Sequence, residues 1–197
     1  MTNLYEIRAN YDRDTIVMYQ AYSSNIADLA IKKQKFVKPF SFNRMTWIKP
    51  SFLWLMHRSN WGKKSGQERI LAVHITRTGW EKALSQGVLT SPEKTVHTSG
   101  KHWEQEFTKA TVHIQWDTER SQRGAALQHF SIQVGLSRHI IKEFVDEWIV
   151  KIEDITPLVH KLNKLKTEGN KNFSKYIPSE KIYPISQKIG KRIMIST

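Results

Sequence analysis

Arg44 and Lys49 stand either side of Thr46 and Trp47, in a stretch from Arg44 to Trp61 that holds three of the chain's seven tryptophans. Cations at this spacing can grip phosphate, and exposed indoles can stack on bases. Arg44 to Ile48 reads as a strand. Lys49-Pro50 breaks it, because the residue before proline is pushed out of the helical region. Pro50 suits the first position of a helix, where its missing N–H would lack a partner anyway. A strand feeding a helix N-terminus, with cations at the junction, is an anion seat. For Arg44 and Lys49 the plain alternative is a solvated surface pair.

Two further segments carry chemistry-bearing residues. Tyr19-Gln20-Ala21-Tyr22 closes a strand just before a capped helix, and Asp146-Glu147-Trp148-Ile149-Val150 brings a glutamate into an apolar strand. Most glutamates at a strand start are simply exposed, so Glu147 gains interest only from its company. The eight histidines lack the spacings of a zinc site, and no metal is expected. Gly62 to Gly66 encloses Lys63-Lys64-Ser65 in the wrong order for a phosphate-binding Walker loop, and no serine sits in a nucleophile elbow. With no cysteine, disulfides, thiolate metal sites and cysteine nucleophiles are excluded together. The commonest hydrolases and kinases drop out.

The elements that must position these residues follow from pattern. Tyr5 to Ala9 forms a short strand, and Thr15 to Tyr22, β-branched and aromatic, a strong one. Ser23, Ser24 or Asn25 caps a helix carrying Ile26, Leu29 and Ala30 and ending in lysines. Ile70 to Ile75 reads as a buried strand, with a short helix from Thr76 or Thr78 to about Gly87. Trp103 and Phe107, four apart, fit a brief helix. Val112 to Asp117 alternates as a half-buried strand, and Asp117 to Gly124 reads as a charged loop. His129 to Val134 forms a strand, Leu136 to Val145 a helix, and Glu147 to Ile152 a last strand. Leu158, Leu162 and Leu165 make a helical stripe that packs on its own domain more readily than on a membrane or nucleic acid. Strands and short helices without regular βαβ alternation imply α+β.

The chain's 197 residues suffice for one well-buried domain. Its N-terminus lacks a basic region followed by an apolar one, and no apolar run approaches membrane-spanning length, so a cytoplasmic protein is expected. The net charge is +13, of which residues 157–197 carry +7. A polyanion partner such as RNA or DNA fits that balance, as does a solvated lysine surface.

The segments Ile7-Arg8-Ala9, Thr15 to Tyr22, Arg44 to Trp61, Gln67 to Thr76, Val112 to Arg120, Ser131 to Leu136 and Asp146 to Thr156 together resemble domain-of-unknown-function family 4291. More distantly, the order of motifs is similar to ADP-ribosyltransferases of the diphtheria-toxin-like branch. There a first strand ends in Tyr-His, a second begins with a small hydroxyl residue before a helix, and a late strand opens with the catalytic glutamate. Tyr19-Gln20, Thr46 and Glu147 stand at those positions, with Gln20 in place of His. Val145, two before Glu147, is neither Gln nor Glu, so the arginine-modifying pattern is absent.

That resemblance implies NAD as substrate and one α+β domain of split, bent antiparallel or mixed sheets with flanking helices. The domain would span residues 1–167, with 168–197 as a basic wrapping or loosely ordered extension. Breaking the nicotinamide–ribose bond develops positive charge on the sugar, which a carboxylate, here Glu147, would stabilise. Tyr19 and Tyr22, with Trp47, would sandwich the nicotinamide. Arg44 and Lys49 would hold the pyrophosphate, and Gln20 would bind a ribose or carboxamide. Given the charge, a nucleic-acid acceptor is favoured. The rivals are a non-enzymatic nucleic-acid-binding module and a degenerate transferase fold serving as a protein partner.

Overall fold

After strand β1 (Arg8–Ala9), Asp12 turns the chain by accepting the backbone N–H groups of Asp14 and Thr15 at 2.9 and 2.7 Å. These are features of a computed structural model that describes residues 4–195. Strand β2 (Thr15–Tyr22) takes up the whole β-branched run, and helix α1 (Ser24–Lys33) ends in Lys32 and Lys33, where cations suit the helix dipole. Strand β3 (Thr46–Ile48) is shorter than the Arg44 to Ile48 run suggests. Pro50 does not open the next helix. Helix α2 (Phe52–Ser59) is capped by Ser51, whose hydroxyl accepts from Trp54 N at 3.3 Å.

Strand β4 (Arg69–Thr76) leads through the Thr76 cap into helix α3 (Arg77–Gln86), then β5 (Gly87–Leu89) and helix α4 (Gly100–Lys109). Strand β6 (Val112–Arg120) continues through residues read as a charged loop, and the turn itself is confined to Ser121 to Ala125 before β7 (Ala126–Leu136). Backbone pairing outweighs side-chain charge there, since Thr118 and Arg120 still find partners in Phe130 and Ala126. The helix read over Leu136 to Val145 shrinks to α5 (Ile141–Glu143), followed by a π-helical turn at Phe144–Trp148. Strand β8 (Ile149–Asp154), helix α6 (Thr156–Thr167), a 3₁₀ turn (Lys171–Tyr176), strand β9 (Lys181–Ile182) and helix α7 (Gln187–Arg192) complete the chain.

These elements make one α+β domain. A three-stranded sheet has the order β2-β4-β8, a four-stranded one β3-β7-β6-β5, and β1 pairs with β9. Among the named strands of the described residues, the pairings are antiparallel except β5 with β6. The two larger sheets meet where Tyr19 N donates to Lys49 O at 2.8 Å. On the main-core side Ile16, Met18, Leu71, Val73 and Ile75 join Trp80, Val112, Ile114, Val134 and Leu136. On the other side Val17, Tyr19, Ile70 and Ala72 pack under α2, α6 and the 3₁₀ turn, with Phe52, Met56, Val159 and Leu162. Burial of both faces explains why β2 and β4 read as nearly unbroken apolar runs. Among the described residues, no helix is long and apolar enough to cross a membrane.

The N-terminus of α2, the expected anion seat, is occupied by the chain itself. Glu180, just before β9, accepts the Phe52 N–H at 2.7 Å. Burial pushes the Glu180 carboxyl up to about 8; nearby Glu119 acts in the same direction and Arg8 against it. A carboxyl raised in the folded state above its ordinary 4.5 contributes stability that is complete below about 4.5 and is lost as pH rises through about 8. Glu180→Gln keeps the acceptor and removes the titration. The stability of the wild type relative to this variant should therefore fall between about pH 4.5 and about pH 8 in urea unfolding. Parallel curves would contradict it.

Candidate functional site

One cleft of about 760 Å³ opens at the seam of the two larger sheets. That is the size range of small-molecule and cofactor pockets. It is built by the period of two along each strand. Directly opposed residues share a face, so Gln115 with Gln133 and Asp117 with Ser131 stand on the side of the four-stranded sheet away from Ile114, Ile132 and Val134. Trp47 is opposite Gly135 and crosses it. A Cβ at Gly135 would come within 2.7 Å of Met45 Sδ and 3.0 Å of the Trp47 ring, so a larger residue there would displace both side chains.

Tyr19, Gln20, Tyr22, Arg44, Thr46, Trp47 and Lys49 all line this cleft, joined by Trp54, Arg58, Gln115, Asp117 and Gln133. Gln20 is buried; its Nε2 donates to Tyr22 Oη at 2.9 Å and to the Trp47 carbonyl at 3.4 Å. Its Oε1 is buried without a hydrogen-bond partner. An acceptor left unpaired in this way costs stability unless something donates to it. Thr46 is buried opposite Leu136 of β7, whereas Arg44 is exposed and Trp47 is 37% exposed.

Tyr19 and Tyr22 do not form two walls of one stack. Three positions apart on β2, they point to opposite faces: Tyr19 packs edge-on against Phe52, and Tyr22 against Phe36 and Phe40. Burial raises both phenols well above their ordinary range.

Lys49 is not a free surface cation. Its ammonium lies 3.0 Å from Asp117 Oδ2, 3.4 Å from the Ser131 carbonyl and 3.9 Å from the centre of the Trp54 ring. Gln115 Nε2 holds the other oxygen of Asp117 at 2.9 Å. Burial pulls the Lys49 ammonium down to about 8, against the attraction of Asp117 and Glu119.

Glu147 is not part of the cleft, contrary to expectation. It is exposed on the π-helical turn before β8, a strand separated from β2 by β4. The cause is local packing. Phe144, Val145 and Trp148 point into the core, which leaves Asp146 and Glu147 outside. Asp146 is held by Lys142 at 2.7 Å. The late strand that does face the cleft is β7, and it presents Gln133; the carboxylate facing the cleft is Asp117. Glu147→Ala should change folding stability by less than about 0.5 kcal/mol in urea unfolding, as expected for an exposed side chain. A larger loss would reveal a contact absent from this fold.

Sequence pattern missed Gln115, Asp117, Gln133, Trp54 and Arg58. The alternation of Val112-His113-Ile114-Gln115-Trp116-Asp117 carried the signal, because its polar half had to face something. Among the described residues, no cluster of His, Asp and Glu side chains is arranged to hold a metal ion.

The fold and cleft thus define a single α+β domain with a polar, aromatic-rimmed pocket between two sheets. Residues 6–183 match the model of the family described as Domain of unknown function (DUF4291), and the chain belongs to that family. Among curated proteins, none matches it.

Proposed function

We propose that the cleft binds NAD and that the protein is ADP-ribosyltransferase-like, transferring ADP-ribose to an acceptor. The observation that carries this reading is the unpartnered, buried Oε1 of Gln20 in a cleft large enough for a nucleotide. A carboxamide or exocyclic amine has the N–H that this oxygen lacks. The glutamines of β6 and β7 offer further amides for a polar ring edge. Arg44 and Arg58 are cations for the pyrophosphate, while Lys49 serves Asp117 instead. The split pair of sheets with its cleft at the seam supports the same arrangement.

Asp117, not Glu147, is then the group placed to stabilise positive charge on the ribose. As the C1′–N bond breaks, its electron pair leaves with neutral nicotinamide and the acceptor's electron pair forms the new bond at C1′. The acceptor's proton passes to Asp117 or solvent. Before reaction its Oδ2 is held by Lys49 at 3.0 Å. Labelled NAD, incubated with pooled RNA, DNA and protein acceptors, should give label transfer that Asp117→Asn abolishes and Glu147→Ala leaves intact. Loss of transfer in Glu147→Ala with Asp117→Asn still active would refute this assignment.

A non-enzymatic nucleic-acid-binding role is the second reading, favoured by Trp47, exposed beside Arg44 at the cleft mouth. It predicts oligonucleotide binding with no NAD binding.

A further inference from the structure

Helix α2 has a second concave surface on its other side. Trp54, Leu55 and Arg58 face the cleft, whereas Leu53, Met56 and His57 line a separate groove of about 320 Å³ against the β6–β7 turn and α6. The groove's polar lining comes chiefly from His57, Asn60, Gln122, Arg123, Asn163 and Lys166, and no acidic side chain lines it. Among the described residues, neither Arg123 nor Lys166 has a carboxylate within ion-pair distance. The nearby Arg120 has a buried Nε with no hydrogen-bond partner. His57 responds to this environment: burial first, then the charges of Arg120 and Lys166, hold its imidazole below the usual range. The field in the groove is therefore positive.

The walls are fixed in place. The β6–β7 turn is tied by Ser121, which accepts Ala125 N at 3.1 Å through its hydroxyl and Gly124 N at 2.8 Å through its carbonyl. Gly124 sits at φ +87°, where a side chain would be strained. Lys166 lies over the Trp61 ring, 4.9 Å from its centre. Amide donors around paired cations suit one phosphodiester at a time. Trp61 itself is buried, so this groove offers charge and donors but no stacking face. The exposed stacking face, Trp47, is in the cleft on the other side of α2, a helix about 10 Å across.

We propose that the groove between α2, α6 and the β6–β7 turn binds the phosphodiester backbone of a single-stranded nucleic acid, which crosses α2 toward the cleft. The inference rests on the charge and shape of the groove and not on NAD; if transfer takes place in the cleft, it names the acceptor class.

The test is fluorescence anisotropy of the full chain with labelled single-stranded RNA and DNA of one sequence, without NAD, across a salt series. The double variant Arg123→Glu with Lys166→Glu should bind at least about tenfold more weakly. Its salt dependence should flatten by about 1.4 in logarithmic slope, the loss of two phosphate contacts to a single strand. The matched reversal Lys32→Glu with Lys33→Glu, on α1, controls for net charge. The milder pair Arg123→Gln with Lys166→Gln gives the answer if the first variant fails to fold. No oligonucleotide binding at low salt would overturn the proposal. So would equal weakening by both charge reversals, or displacement of the strand by tripolyphosphate at matched phosphate concentration. Because NAD is absent, failure here leaves the reading of the cleft intact, and failure of NAD binding leaves this site intact.

Discussion

Replacing Trp148 by alanine is expected to cost about 4 kcal/mol of folding stability, measured by urea unfolding. Its side chain is 3% exposed and makes an edge contact with Phe144 at 6.1 Å between ring centres. The indole N–H donates to Glu143 Oε1 at 2.8 Å, and Lys82 holds the same oxygen at 2.6 Å. The ring is seated on Gly79 of α3. A Cβ there would come within 2.7 and 2.8 Å of Cδ2 and Cδ1 of the indole, so Gly79→Ala should also destabilise, despite the better helix propensity of alanine. Truncating the Trp148 side chain would remove buried apolar area, open a cavity and leave Glu143 with Lys82 alone. The contrast with Glu147, one residue earlier, is the informative part. One side chain anchors the turn and the other should be replaceable. Equal, small effects at both positions would mean that the π-helical turn is not docked as described.

Asp117→Ala is expected to cost about 3 kcal/mol, because it leaves the Lys49 ammonium buried without its carboxylate. The pH dependence is also determined. Lys49 is depressed from 10.5 to about 8 in the folded protein, so between those values the unfolded chain binds more protons. Its contribution to stability therefore rises with pH through that window. Without Asp117 the depression deepens and the window extends to lower pH. The double variant Lys49→Met with Asp117→Ala should be more stable than Asp117→Ala alone, since no charge is then left uncompensated. A single variant as stable as the wild type would show that the pair is solvated.

How much of this was legible in the sequence differs from element to element. Thr15 to Tyr22 declares itself because both faces of β2 are buried, so every position is apolar or β-branched until Gln20. The helix cap at Thr76 follows from local chemistry that needs no tertiary contact. The cleft was half visible. Its β2 and β3 residues cluster in motifs with unusual composition, whereas Gln115, Asp117 and Gln133 look like the solvent face of any amphipathic strand. Only the register that opposes Gln115 to Gln133, and the Tyr19–Lys49 junction of the sheets, turns that face inward to a cleft.

Glu147 was misread for the converse reason. An acid followed by Trp-Ile-Val has the pattern of a strand start, and nothing local reveals that Trp148 docks on Gly79 and winds its neighbours into a π-helical turn. Glu180 could not be foreseen at all. It lies more than a hundred residues from the helix end that it caps, and only the wrapping of the C-terminal segment brings it there.

The proposed nucleotide site at the seam between the two sheets has the buried Gln20 in its lining. Titration calorimetry of NAD into the full chain tests it most directly, with Gln20→Met and Glu147→Ala measured alongside. Saturable NAD binding is expected for the wild type, unchanged in Glu147→Ala and at least about tenfold weaker in Gln20→Met. Absence of NAD binding by a folded wild-type protein, or binding that survives in Gln20→Met and disappears in Glu147→Ala, would contradict it.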